Sequence, residues 1–466
     1  MDITFYGAAR EVTGSCFLIR HSDHRILFDC GMRQGSREAN RKNRRRFSFK
    51  PRQLDAVVLS HAHIDHSGLL PKLVREGYSG PIYATPATIA LTEILLRDSA
   101  HLQEGEAERA TRRNLRKGKN AVQPLYTDAD VEKTLPLFRP VHYQRDATPV
   151  EEVLFRFHDA GHILGSAITE FEIGSAGHMR RLVMSGDLGP DEQALMNEPA
   201  ILDHAHAVVM ESTYGDRDHR DREETLGEFE EVLKQASKTG GHVIIPSFAV
   251  GRTQSLIYRL AELDRAGRLP FREVYVDSPM ALSTTNLYCR HERLFDEETL
   301  DLIEKGFRLC DLDFVHFTRS VEESRALNEL RRPAIIISAS GMCTGGRILH
   351  HLRHNLWRDN AHVMFVGFQG RGTLGRQLVD GAKSVRIYGE TIAVKARIHT
   401  INGFSAHAGR SDLLRWHDAF TKGNPQTMLV HGEEEAMESL AKAIEKRRHR
   451  KPHMPREGET IEIGRD

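Results

Sequence analysis

The chain has 466 residues, too many for one ordinary core, so two domains are expected. Its 65 basic and 65 acidic residues cancel, which excludes whole-molecule attraction to a polyanion and leaves any such binding to a local patch. No apolar run approaches the roughly 18 residues of a membrane span, Met1-Asp2-Ile3-Thr4-Phe5 lacks a signal-peptide layout, and five scattered cysteines (Cys16, Cys30, Cys289, Cys310, Cys343) fit a reducing cytosol better than a disulfide scaffold.

The first segment is predicted as short strands at Ile3 to Tyr6, Cys16 to Arg20, Arg25 to Asp29 and Asp55 to Ser60, separated by glycine and charged turns. Between them the basic run Arg41-Lys42-Asn43-Arg44-Arg45-Arg46 reads as a solvated loop. A helical pattern follows from His66 to Glu76, ending at Gly77, and residues 86–118 are polar and helix-prone. Strands return around 153–158, 168–173 and 181–186. Beyond Asp203 the character changes. Val208 to Met210, His242 to Pro246, Val274 to Asp277, Ala334 to Ser338 and Val363 to Gly367 are apolar runs. They alternate with helical patterns such as Glu223 to Lys238 and Thr253 to Arg265, the signature of a parallel, doubly wound sheet. A strand (Thr427 to Val430), a helix (Glu434 to Arg448) and a strand (Thr460 to Ile463) complete the pattern.

The 26 histidines make a metal site worth seeking. His61 and His63 directly follow the apolar strand that ends at Leu59. Residues two apart in extended chain share a face, so both imidazoles can aim at one ion. Asp65 and His66 open the next helix and point elsewhere. Three later residues share a format, a polar side chain at a strand end flanked by glycine: His162, Asp187 and His431. Together these supply His61, His63, Asp65, His66, His162, Asp187 and His431, too many donors for one zinc and suited to two that share a carboxylate.

Asp29, His61-x-His63-x-Asp65-His66, His162 and Asp187 resemble motifs one to four of the metallo-β-lactamase fold. Glu211 in Met210-Glu211-Ser212-Thr213, His407 in Phe404-Ser405-Ala406-His407 and His431 are similar to motifs A, B and C of the β-CASP nucleases, and the wording at His407 resembles the branch related to the endonuclease subunit of the cleavage and polyadenylation factor. The resemblance implies an α/β protein: a metallo-β-lactamase αββα sandwich over 1–205 and 396–466, with a Rossmann-like parallel-sheet β-CASP domain inserted over 206–395. It implies two zinc ions, one held by His61, His63 and His162 and the other by Asp65, His66 and His431. Asp187 would bridge them and Asp29 would orient the ligand turn. The second ion is expected to depend on closure of the two domains.

By the same resemblance, two zinc ions lower the pKa of a shared water, and the resulting hydroxide hydrolyses a phosphodiester. Asp65 would orient this nucleophile, and His407, held by Glu211, would protonate the leaving oxygen. His399 belongs to no motif and is expected to be structural. Glycine-rich strand ends with Ser247, Arg252, Ser340, Gly341, Arg347 and Arg371 are candidates for gripping RNA phosphates. Histidine at motif C accompanies RNA substrates in the family, so the expected partner is single-stranded RNA in the cytoplasm, with no membrane. A homodimer is compatible with the sequence, but no residue points to it. The alternatives are a DNA-directed β-CASP nuclease, a small-molecule metallo-hydrolase, which the insertion argues against, and a non-catalytic RNA-binding subunit, which the full ligand set argues against.

Overall fold

The first of two units is built on two sheets packed face to face, as a computed structural model that describes residues 1–175, 178–370 and 372–464 shows. This unit comprises Met1–Gln193, Asn197–Asp218 and His407–Asp466. One sheet has seven strands in the order Thr460–Glu462, Asp2–Gly7, Cys16–His21, His24–Phe28, Ala56–Val58, Ile82–Ala84 and Phe138–Pro140. The other has six, Gln426–Val430, Ala207–Glu211, Arg180–Met184, Ala167–Ile173, Val153–Asp159 and Asp146–Val150.

Strand alternation explains the layering. Ala56 and Val58 face the space between the sheets, where Phe28 meets Phe171 with ring centroids 6.3 Å apart and Tyr83 meets Phe155 at 5.5 Å. Val57 and Leu59 point the other way, into a core with Leu70, Leu73, Leu96 and Ala100 from the helices Leu70–Arg75 and Pro86–Leu115. In the second sheet Ala207 and Val209 face inward. Val208 and Met210 pack against Leu413, Trp416, Met437 and Leu440 of the helices Arg410–Asp418 and Glu434–Arg448. Central strands such as Ala56–Val58 and Ala207–Glu211 are therefore buried on both faces, and the order of layers is helix, sheet, sheet, helix.

The second unit comprises Ala194–Met196 and His219–Ala406. Its six-stranded sheet is parallel throughout, in the order Val315–Phe317, Val274–Asp277, Ile335–Ser338, Val243–Pro246, His362–Phe365 and Arg397–Thr400. Ile244, Ile336, Val363 and Phe365 pack on the helix Ile348–Asn355, and Val243, Ile245, Ile335 and Ile337 are buried as well. Helices Arg222–Thr239, Arg252–Arg265 and Pro279–Arg290 intervene between the strands. The α/β class and the sandwich-plus-parallel-sheet architecture follow the expectation.

Several boundaries differ from it. Ala207–Glu211 was assigned to the insertion but pairs, parallel, with Arg180–Met184 and Gln426–Val430, so it belongs to the sandwich. Arg397–Thr400, placed after the insertion, is the edge strand of the parallel sheet. A short strand buried on both faces looks the same in either sheet, so composition could not assign it. The helix expected from His66 to Glu76 is two pieces, Ile64–Ser67 and Leu70–Arg75, because Pro71 in the first turn of the second cannot donate back to the first. The basic run is a loop only at Arg45 and Arg46: its first four residues end the helix Arg37–Arg44, capped by Ser36, with Lys42 paired to Glu457. Cys289 and Cys310 form a disulfide, whereas Cys16, Cys30 and Cys343 are free and buried; cysteine spacing alone did not reveal the pair. Among the described residues no helix is long and apolar enough to cross a membrane.

Phe171 fills the space between the sheets with none of its surface exposed. Phe171→Ala should cost about 3–5 kcal/mol of stability, read as a lower urea midpoint with an unchanged slope.

Candidate metal centre

Asp29 ends the strand His24–Phe28 in a left-handed conformation, φ 57°, which turns its carboxylate back across the neighbouring strand end. Oδ1 accepts from the Ser60 amide at 2.8 Å, and Oδ2 accepts from Ser60 Oγ at 2.8 Å and from His66 Nδ1 at 2.7 Å. The turn that carries His61 to His66 is also pinned by its backbone: Ser15 N donates to Asp65 O, Cys30 N to His66 O and Met32 N to Ile64 O. Gly31 lies so close that a Cβ there would fall 1.6 Å from Asp65 O.

The remaining donors come from other strand ends of the sandwich. His162 sits in the loop between Val153–Asp159 and Ala167–Ile173, where Ser166 Oγ accepts from its amide at 3.1 Å. Asp187 follows Gly186, φ 57°, just past Arg180–Met184. His431 follows Gln426–Val430 in a left-handed conformation, φ 51°, and its amide donates to Ala8 O at 2.7 Å. Thr213 Oγ1 lies 3.1 Å from both the carbonyl oxygen and Nδ1 of His431. Donating to the carbonyl leaves that hydroxyl to accept from Nδ1–H, which turns the Nε2 lone pair toward the centre.

The donors converge in two sets. His61 Nε2 and His162 Nε2 each lie 3.1 Å from His63 Nδ1, and Asp187 Oδ2 is 3.5 Å and 3.6 Å from the first two. In the second set His66 Nε2 is 3.3 Å from both His431 Nε2 and Asp187 Oδ1, and His431 Nε2 is 3.5 Å from Asp65 Oδ2. One donor atom each from His61, His63, His162 and Asp187, and one each from Asp65, His66 and His431, lie inside 4.8 Å of one another. A single proton on His63 Nδ1 cannot satisfy two facing nitrogens, whereas one cation satisfies all three. Asp187 Oδ1, moreover, is buried with no hydrogen-bond partner. Imidazole and carboxylate donors at this count fit zinc. All seven expected ligands lie in the first unit, so neither set needs domain closure, contrary to expectation.

The electrostatics of the protein alone favour the same use. Burial keeps His63 neutral, its pKa down at about 4. It pushes His61 down as well, helped by the charge on His66. Burial opposes ionisation of Asp65, but the hydrogen bond from His431 and the charge on His66 outweigh it and hold the carboxyl at about 2. Burial opposes a charge on His66 too, yet Asp187 and Asp29 prevail and raise it. The deprotonated forms needed for ligation are thus in place at His61, His63 and Asp65, whereas His66 would have to give up its proton to an ion.

A third grouping, Asp187, Glu211 and His407, is better described as a hydrogen-bonded pair beside the centre. Glu211 Oε1 accepts from Leu188 N at 2.7 Å and His407 Nδ1 at 3.2 Å, and Oε2 accepts from Thr213 N at 3.3 Å. Burial works against a charge on His407, but Glu211 overcomes it and raises the imidazole to about 9.

The phosphate candidates fall in the second unit, except Arg371, which lies outside the described residues. Ser247 is 1% exposed and its hydroxyl is engaged with Thr253 and Phe248 O, so it is turned inward rather than presented. Arg347 donates to the buried carboxylate of Asp277 at 2.7 Å, and Arg252 donates to Val366 O. Ser340 Oγ accepts from Thr344 N at 3.0 Å, and Gly341 is covered by the Phe248 ring. His399 bonds His362 at 2.9 Å between neighbouring strands, a structural role as expected. Sequence reasoning did not identify Ser60 or Thr213; nothing but proximity to His61 and Glu211 marked them.

Three family models match the chain in order: the metallo-beta-lactamase superfamily over residues 9–239, the Beta-Casp domain over 253–378 and the Zn-dependent metallo-hydrolase RNA specificity domain over 391–455. Ribonuclease TTHA0252 of Thermus thermophilus is 42% identical over 95% of this chain and 96% of its own. The chain belongs to the β-CASP family of the metallo-β-lactamase superfamily. As a β-CASP protein it is a metal-dependent nuclease. The transcription termination factor FttA of Methanosarcina mazei is 30% identical over 96% of this chain and 69% of its own, and that of Methanocaldococcus jannaschii is 30% identical over 99% and 71%. A crystal structure of a protein of unknown function from Enterococcus faecalis shares the β-CASP chain's fold at 13% identity, with a TM-score of 0.53 over 99% of both chains.

Because Asp29 fixes both the tautomer of His66 and the ligand turn, Asp29→Ala should weaken zinc binding about 10- to 100-fold. Competition with a chromophoric chelator measures this directly.

Proposed function

We propose that this β-CASP nuclease hydrolyses phosphodiester bonds of single-stranded RNA with two zinc ions, in RNA processing or degradation. The observation that carries the reading is Asp187. It faces His61, His63 and His162 through Oδ2 and His66 and His431 through Oδ1, with Asp65 beside the second set. In the reading, His61, His63 and His162 would hold one ion and Asp65, His66 and His431 the other, with Asp187 available to both. When bound, the ions supply a nucleophilic water at neutral pH and charge to offset the phosphate.

The chain's own residues carry the remaining tasks. Asp65 orients the attacking water while ligating. His407, held through Nδ1 by Glu211, donates a proton to the leaving ribose oxygen. Glu211 positions it, and because the same carboxylate holds Leu188 N, it links the proton donor to the residue next to Asp187. RNA rather than DNA is supported by the ribonuclease name of the Thermus relative and by the match to the RNA specificity domain, whose span includes His431.

The purified protein should contain about two zinc equivalents by mass spectrometry and cut single-stranded RNA. Chelation should abolish cleavage and lower the melting temperature, and added zinc should restore both. Equal cleavage of the matched DNA strand would overturn the RNA assignment. His407→Ala should lower kcat about 10²- to 10⁴-fold with zinc content intact; an unchanged kcat would remove its role as the acid. His63→Ala and His431→Ala should each lose about one equivalent of zinc, and loss of none would refute the ligand assignment.

A further inference from the structure

In the parallel sheet of the second unit, Val243–Pro246 and His362–Phe365 are adjacent strands, and each is followed within three residues by an exposed phenylalanine. Phe248 is 43% exposed and Phe368 is 55% exposed. A single exposed phenylalanine is ordinary. Two exposed rings that follow neighbouring strands at the same edge of one sheet are less ordinary.

The surroundings say what the patch suits. The described segments 247–253, 339–347 and 366–370 at this sheet edge contain no aspartate or glutamate, and they carry Arg252 and Arg347. The helix Arg252–Arg265 begins at the same edge and adds the positive end of its dipole. At the neighbouring strand end Asp277 is fully buried and accepts from Arg347 and His351. Aromatic faces among cationic groups, free of acid, match a strand whose bases are flat and whose backbone is anionic.

The Phe248 ring is also held in place. A Cβ on Gly341 would fall 2.9 Å from Phe248 Cδ2, so the ring rests directly on the Gly341 backbone. Gln369, next to Phe368, is buried and donates to Gly341 O at 3.0 Å and Gly367 O at 3.1 Å, which ties the two loops together. Glycine at 341 is therefore explained by the ring it supports, where the sequence had suggested a phosphate cradle.

We infer that Phe248 and Phe368 form a stacking platform for the bases of single-stranded RNA, with sequence-independent grip. The inference rests on the RNA reading above. Because every base has a π-face, stacking contributes roughly 5- to 100-fold in affinity per base with little preference among them.

The test uses the full zinc-loaded chain and two non-cleavable oligoribonucleotides of equal length, one normal and one with abasic positions. Wild type should bind the normal strand at least about tenfold more tightly than the abasic one. The Phe248→Ala/Phe368→Ala variant should bind both equally, at the abasic level. Gly341→Ala, which displaces the ring without removing it, should lose part of the preference. Phe368→Trp should keep it, and its added indole fluorescence should be quenched by the normal strand and not by the abasic one. A double variant that retains the wild-type preference for bases overturns the platform while leaving the RNA reading intact, and would point to a protein partner for this patch. A wild type that neither binds nor cuts RNA overturns both.

Discussion

Three carboxylates of the first unit, Asp29, Asp187 and Glu211, are buried almost completely, and a buried anion is tolerable only if its charge is met. Asp29 is met by Ser60 and by His66. Glu211 is met by the Leu188 and Thr213 amides and by His407. Asp187 is the exception, for its Oδ1 accepts no hydrogen bond although it sits among imidazole nitrogens. The other features of the site follow from this imbalance. The strand ends hold left-handed turns at Asp29 and His431 because the ligands must reach inward, and Thr213 and Asp29 fix the tautomers that turn the Nε2 lone pairs of His431 and His66 toward each other.

The sandwich supplies the rigidity that such an arrangement requires. Each ligand lies at or just beyond the end of a strand or on the short helix that follows one, and those strands are buried on both faces. Small rotations of a strand end would move an imidazole by an appreciable fraction of the 3.1–3.6 Å separations in the cluster. Positioning therefore depends on the core between the sheets as much as on the ligands.

Much of the site was legible in the sequence because its chemistry is local. His61 to His66 is a contiguous run, and glycine flanks His162, Asp187 and His431 for reasons of backbone geometry that leave a mark in the sequence. The supporting hydroxyls left none: Ser60 and Thr213 act through single hydrogen bonds, and serine and threonine are common at strand ends for many reasons. Strand existence was legible from apolar runs, but membership was not, so Ala207–Glu211 and Arg397–Thr400 were exchanged between sheets. The glycine-rich loops of the second unit were recognised as unusual and read as phosphate cradles. Ser247 is inward and Gly341 lies under a ring, since a glycine signals close approach without saying what approaches.

The pairing of Ala207–Glu211 with Gln426–Val430 joins segments more than two hundred residues apart, with Ser212 Oγ bonded to Val430 O across 218 positions. During synthesis the amino-terminal part of the chain emerges first. A ribosome-bound chain that has not yet reached this strand has His61, His63, His162 and Asp187, but an open edge at Ala207–Glu211 and no His431. Such a chain can assemble the first donor set and not the second. The second donor set therefore depends on a pairing that can form only after the strand preceding His431 has been translated.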